Sequence, residues 1–185
     1  MQLYPVYPLF DINIVKGEGC HVWDSEGQEY LDLYGGHAVI SIGHCHPHYV
    51  EKLTQQLNTL GFYSNSVINR LQEQLAERLG KACGYDNYQL FLVNSGAEAN
   101  EGAIKAARKY SFDKYGADRY NVITLVNSFH GRTLATLTAT GQDVFHHDFG
   151  PFPGNFDYVP AGDFAALEKA TDADTCAVML ELVQG

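Results

Sequence analysis

Three short stretches carry residue types whose spacing could do chemistry. Asn94-Ser95-Gly96-Ala97-Glu98-Ala99-Asn100-Glu101 is a small, glycine-containing turn that follows an apolar run and leads straight into a helical pattern. Such a turn presents free backbone N–H groups and the positive end of a helix dipole, a combination suited to a phosphate. The same residues also read as a plain helix start, with Ser95 as N-cap and Glu98 completing a capping box. No GxxxxGK[ST] pattern is present, so the turn is not a nucleotide P-loop. Asn127-Ser128-Phe129-His130-Gly131-Arg132-Thr133 follows the next apolar run and places an aromatic ring, an imidazole and a guanidinium within four residues. Phe129 could stack on a planar ring and Arg132 could hold a carboxylate bidentately. Gly43-His44-Cys45-His46-Pro47-His48 sets three histidines at a period of two, and imidazoles so spaced raise the question of zinc, copper or nickel. No carboxylate or second ligand cluster lies near them in sequence, and the expectation is no metal.

The elements that must hold these stretches differ along the chain. Ile12 to Lys16, Cys20 to Asp24 and Glu29 to Leu33 are short β-like runs separated by Gly17-Glu18-Gly19 and Ser25-Glu26-Gly27, which predicts a three-stranded antiparallel meander. Gly17-Glu18-Gly19 is then a hairpin turn, because a dinucleotide fingerprint needs a third glycine and a following helix. From Pro47 the period becomes helical, with Tyr49, Val50, Leu53 and Leu57 on one face. A second helix is predicted from about Ile68 to Ala82. Strands at Gln89–Val93, Asn121–Val126, Asp157–Pro160 and Cys176–Leu182 then alternate with helices at Ala97–Tyr115, Thr133–Thr140 and Phe164–Thr171. That alternation marks an α/β unit with a mostly parallel sheet, in which ligands gather at the carboxyl ends of the strands. The expected division is a β-meander segment at 1–46 and an α/β part from 47 to 185.

Composition excludes several classes. The 185 residues carry 12 Lys+Arg against 22 Asp+Glu, a formal charge of −10, which is too acidic for a general nucleic-acid binder. With 45% hydrophobic and 18% charged residues the chain is of ordinary globular type. No run approaches the roughly 20 apolar residues of a membrane span, and the start has no signal-peptide pattern, so a soluble cytoplasmic protein is expected. Cys20, Cys45, Cys83 and Cys176 show no CxxC spacing and are expected to be free thiols.

Five stretches, taken in order, resemble the N-terminal half of a class III aminotransferase, a pyridoxal phosphate enzyme of fold type I. They are GEGCHVWDSEGQEYLDL, GHCHP, NSGAEANEGAIKAAR, FHGRT and ELVQG, and together they cover essentially the whole chain. Within the family the likeness is greatest to the acetylornithine and succinylornithine branch, with ornithine and 4-aminobutyrate aminotransferases as near relatives. The resemblance implies the first part of a large domain, a mostly parallel sheet with helices on both faces, preceded by the meander of a small domain. It implies that Ser95, Gly96 and Ala97 cradle the cofactor phosphate, that Phe129 stacks on the pyridine ring and that Arg132 holds the substrate α-carboxylate. His37, in Tyr34-Gly35-Gly36-His37, and Tyr7 would face the substrate's distal end. The implied reaction is ping-pong amino transfer between an N-acylated ornithine and 2-oxoglutarate in arginine biosynthesis, by a homodimer.

The family's Schiff-base lysine and its acidic partner for the pyridine nitrogen are expected further along than Gly185. The seven lysines, Lys16, Lys52, Lys81, Lys105, Lys109, Lys114 and Lys169, fall in stretches that the family does not use for that purpose. The chain is therefore expected to be part of a longer protein, inactive alone and with unpaired sheet edges. Leu182 stands where the family usually has proline, and Glu181 beside it is left out of the expected site. A non-catalytic module that holds a phosphorylated ligand at Ser95–Ala97 is the alternative of a different class.

Overall fold

A computed structural model describes all 185 residues, Met1–Gly185. The chain divides into two compact units, Met1–Gln72 and Glu73–Gly185. This division falls in the first turn of a helix at Arg70–Cys83, whereas the change of pattern at 46/47 is where an earlier helix begins, inside the first unit.

In the first unit β1 (Ile14–Glu18), β2 (His21–Asp24) and β3 (Glu29–Leu31) form the antiparallel meander in the order β1-β2-β3. The first turn sits later than its glycines suggest. Gly17 pairs with Val22 and Glu18 with His21 inside the ladder, so the turn is Gly19-Cys20, with Gly19 at φ +57°. Gly17 is needed for a different reason: a Cβ there would lie 2.7 Å from Cγ of His44, whose ring rests against this strand. Gly19 and His44 also form a backbone bridge, with N–H···O distances of 3.0 and 2.8 Å.

Between β3 and that bridge the backbone makes a left-handed turn. Gly35, Gly36, His37 and Ala38 have φ of 57°, 59°, 62° and 60°. The two glycines accept this conformation freely, while each L-residue with a side chain gives up about 1–2 kcal/mol to adopt it. Helix α1 (Pro47–Thr59) begins where predicted, with proline in its first turn. Its apolar face remains in solvent, since Tyr49, Val50, Leu53 and Leu57 are all exposed.

In the second unit β4 (Asn121–Leu125), β5 (Phe156–Val159) and β6 (Thr175–Val178) form a parallel sheet in the order β5-β4-β6. The helices are α2 (Arg70–Cys83, which begins just before this unit), α3 (Gly96–Tyr115), α4 (Leu134–Ala139) and α5 (Phe164–Ala170). Val122, Ile123, Thr124 and Val159 from the sheet are buried together with Ile104 of α3 and Leu137 and Ala139 of α4. Strand β6 is shorter than the run Cys176–Leu182, its last ladder partner being Val178. No strand forms at Gln89–Val93. That run has the apolar composition of a strand, but no segment of the chain lies beside it to complete a hydrogen-bonded ladder, and Phe91 is exposed. β5 and β6 each have one neighbour, so both outer edges of the sheet are unpaired. No helix is long and apolar enough to cross a membrane.

Candidate functional site

The site is assembled in the second unit, at the carboxyl end of β4 and the start of α3. Ser95 has extended backbone (φ −147°, ψ 161°), and its Oγ accepts from the N–H of Glu98 at 3.2 Å, which caps the 20-residue helix. Glu98 completes the cap one residue earlier than a standard box. Its carboxylate accepts from the N–H of Asn94 at 2.7 Å and from the Asn94 side chain at 3.3 Å, and these bonds hold its carboxyl below the ordinary range. Glu98 Oε2 also accepts from Ser95 Oγ at 3.4 Å, so its charge is engaged at Asn94 and Ser95. The first N–H groups of a helix have no acceptor within it. A Cβ built on Gly96 would meet no atom within 4 Å, so the space over this turn is open.

The loop after β4 is held against that turn by several bonds. Asn100, one turn into α3, donates its side-chain amide to the carbonyl of His130 at 2.8 Å. The N–H of His130 donates to Thr140 Oγ1 at 2.9 Å, and that hydroxyl in turn donates to the Thr136 carbonyl at 2.9 Å. Thr133 caps α4 through a capping box with Thr136, and its hydroxyl also donates to Glu101. Gly131 has a φ of +131°, and a Cβ there would lie 2.8 Å from Cβ of Ala97 and 2.7 Å from Thr136 Oγ1. The two loops therefore touch at Gly131 and Ala97, which leaves no room for a larger residue.

This contact brings Ser95, Gly96, Ala97, Phe129 and Arg132 into one neighbourhood. The Arg132 guanidinium lies 5.8 Å from the Phe129 ring centre and 5.9 Å from that of Phe145, and the two rings meet edge to face at 6.0 Å. Phe129 and Arg132 are both exposed. The arrangement can offer N–H donors to an anion, an aromatic face to a ring and a cation to a carboxylate.

Sequence reasoning left out three residues here. Glu181 accepts from the N–H of Phe129 through Oε1 at 3.4 Å. With Asn100, Ile104, Phe129, His130 and Met179 it lines a cavity of about 500 Å³. His130 is 4% exposed, its Nε2 has no hydrogen-bond partner, and burial pushes its pKa below the usual value. Asn100 gave one readable signal, since asparagine is a poor interior helix residue that usually has a side-chain reason to be there. His37 and Tyr7 belong to the first unit. His37 lies in the left-handed turn, exposed, with its ring 4.9 Å from that of Tyr34, and Tyr7 is in the irregular stretch before β1, 57% exposed. Among the three spaced histidines, Nε2 of His44 is 2.7 Å from Asp32 Oδ2, and no group of three or more His, Cys, Asp or Glu residues is arranged to hold a metal ion.

Residues 5–185 match the family described as aminotransferase class-III. The chain belongs to this family. It is 51% identical over 185 residues to the acetylornithine aminotransferase of Caldanaerobacter subterraneus subsp. tengcongensis, covering all of this chain and 46% of that protein. It is 44% identical over 183 residues to the acetylornithine/succinyldiaminopimelate aminotransferase of Yersinia pestis, covering 99% of this chain and 45% of that one. Among solved structures, the ornithine aminotransferase of Toxoplasma gondii superposes with a TM-score of 0.92 at 32% identity, over 99% of this chain and 44% of that one. A second structure of the Toxoplasma gondii ornithine aminotransferase, crystallised in the presence of oxidised glutathione, has a TM-score of 0.90 at 32% identity over 98% of this chain and 43% of that one, and is described as having partial occupancy of PLP at its active site. This class III chain thus has the fold of the PLP-dependent transaminases and spans a little under half the length of these relatives.

Proposed function

We propose that the chain supplies the phosphate-binding and carboxylate-binding side of a pyridoxal-phosphate-dependent aminotransferase that acts on N-acetylornithine or N-succinylornithine with 2-oxoglutarate, a step of arginine biosynthesis. One observation carries the reading: the open, anion-directed turn Ser95–Ala97 lies in contact with the loop that bears Phe129 and Arg132. The residues present fit the cofactor. The space over Gly96 is open, and the first N–H groups of α3 have no acceptor within the helix.

When bound, pyridoxal phosphate supplies the electron sink that lets an amino acid give up a proton and pass on its amino group. The chain's own residues would do the holding. Ser95, Gly96 and Ala97 bind the phosphate, Phe129 covers the ring, and Arg132 orients the substrate by its α-carboxylate. His37 and Tyr7 contact the distal end and separate acylated from free ornithine. Glu181, through the Phe129 N–H, positions the ring-covering residue.

The Schiff-base lysine is proposed to lie outside these 185 residues, and the full-length gene product to work as a cytoplasmic homodimer. The exposed apolar face of α1 supports an assembly that covers it. The test compares two proteins. The full-length product should transfer the amino group of N-acetylornithine to 2-oxoglutarate, and borohydride reduction with pyridoxal phosphate should label one lysine beyond Gly185. The 185-residue chain should be inactive and unlabelled at its seven lysines. Labelling of any of those seven, or a full-length product with no transfer from any ω-amino donor, would refute the proposal.

A further inference from the structure

The histidine-containing segment singled out in the sequence takes part in a polar cluster that the proposed cofactor and carboxylate sites do not use. Asp32, just after β3, accepts through Oδ1 from the N–H groups of Tyr34 at 3.1 Å and Gly35 at 2.8 Å. Its other oxygen, Oδ2, is 2.7 Å from Nε2 of His44. The His44 bond, then the Gly35 N–H, hold the Asp32 carboxyl below the ordinary range, so it is ionised at neutral pH and accepts at both oxygens. The two side chains are 13% and 23% exposed, more sheltered than the pairs Lys16–Glu18, His21–Glu29, Glu77–Lys81 and Lys109–Asp113.

One carboxylate thus ties together three segments. His44 is fixed in its own right by the two backbone bonds to Gly19 and by the seat that Gly17 leaves for its ring. Asp32 transmits that fixity to the N–H groups of Tyr34 and Gly35, at the entry to the left-handed turn. The turn then closes on itself, from Ala38 N to Tyr34 O and from Val39 N to Gly35 O, each at 3.0 Å. His37 is a non-glycine residue in this turn, at φ +62°, and a chain held there only by local bonds would relax toward the ordinary helical or extended regions.

We propose that Asp32 and His44 are positioning residues, a brace that fixes the left-handed turn so that His37 is presented in one place and discrimination of the substrate's distal group depends on the pair. The inference rests on the role given to His37 above. Neither residue needs to touch substrate, and the histidines at 44, 46 and 48 need no metal to account for the first of them.

The experiment uses the full-length gene product with Asp32→Ala, Asp32→Asn, His37→Ala and the double variant Asp32→Ala/His37→Ala. Two quantities are read: the ratio of kcat/KM for N-acetylornithine to that for ornithine, and hydrogen exchange at the Gly35 amide. In Asp32→Ala the ratio should fall about tenfold, because the group that senses the distal end is no longer held. Gly35 exchange should rise about tenfold or more. Asp32→Asn keeps an oxygen for the Tyr34 and Gly35 amides and should restore both quantities to within about twofold of the original. The double variant should discriminate no worse than His37→Ala alone, as expected for residues acting as one unit. Should Asp32→Ala fail to fold, His44→Gln tests the same tie from the other side and should move both quantities in the same direction. Unchanged Gly35 exchange in the folded variant, or a loss of discrimination that adds in full to that of His37→Ala, overturns the brace. An unchanged ratio in His37→Ala, with Gly35 exchange responding to Asp32→Ala, overturns the role assigned to His37 and the specificity half of the proposal with it.

Discussion

Replacing Gly131 by alanine would test the contact that joins the two loops. The new Cβ would lie 2.8 Å from Cβ and 3.1 Å from Cα of Ala97 and 2.7 Å from Thr136 Oγ1, all well inside ordinary van der Waals contact. Backbone atoms of α3 and a capping hydroxyl cannot swing away as a flexible side chain would. Overpacking of this kind costs about 1–3 kcal/mol. The backbone at φ +131° adds about 1–3 kcal/mol for any residue other than glycine. Together the loss should be about 2–6 kcal/mol, read as a lower urea midpoint at unchanged slope. Gly96→Ala is the matched control, since its Cβ meets nothing within 4 Å and it sits in the first turn of a helix. Stability should then change by no more than about 0.5–1 kcal/mol, in the stabilising direction. Pyridoxal phosphate binding should nevertheless weaken, because the added methyl group enters the space left for the phosphate. Equal effects of the two substitutions on stability, or a loss below about 0.5 kcal/mol for Gly131→Ala, would mean that the two loops are not in close contact at Gly131.

Three further outcomes follow from the same geometry. Thr140 is fully buried and accepts from the His130 N–H, so Thr140→Val should cost about 1–3 kcal/mol in urea unfolding by stranding that donor; a neutral effect would count against the network. Burial holds the His130 pKa below its ordinary 6.5, so the unfolded chain takes up the proton first. The stability that neutral His130 contributes is full above pH 6.5 and is lost as pH falls through the folded value, so the urea midpoint should drop between pH 7.5 and 5.5, and His130→Gln should flatten that drop. Arg132→Lys in the full-length product should raise KM for glutamate and 2-oxoglutarate about tenfold or more, since a lysine cannot make the bidentate pair; unchanged KM would remove Arg132 from carboxylate binding.

Features set by short-range chemistry were legible in the sequence. Pro47 at a helix start, Ser95 as an N-cap and the alternation of β4, α4, β5, α5 and β6 all depend on neighbours within a few residues. So did the grouping of Phe129 with Arg132, which lie three residues apart. Features set by a distant partner were not legible. Gln89–Val93 has a strand's composition, but a strand exists only by pairing, and nothing in this chain pairs with it. Gly17 was read as part of a turn because its true partner, the His44 ring, comes from 27 positions away in the sequence. The Asn100–His130 bond spans 30 positions and the Asp32–His44 pair 12, so neither could be read from local spacing. The left-handed turn was half visible. Two consecutive glycines permit it, but only the Asp32 brace says why the conformation extends through His37 and Ala38.

The most direct measurement is a crystal structure of the full-length gene product with pyridoxal phosphate. Phosphate oxygens should lie within hydrogen-bond distance of Ser95 Oγ and of the Gly96 and Ala97 N–H groups, with the Phe129 ring against the pyridine. A phosphate bound away from the start of α3, or a cofactor ring that Phe129 does not touch, would contradict the proposed cofactor site.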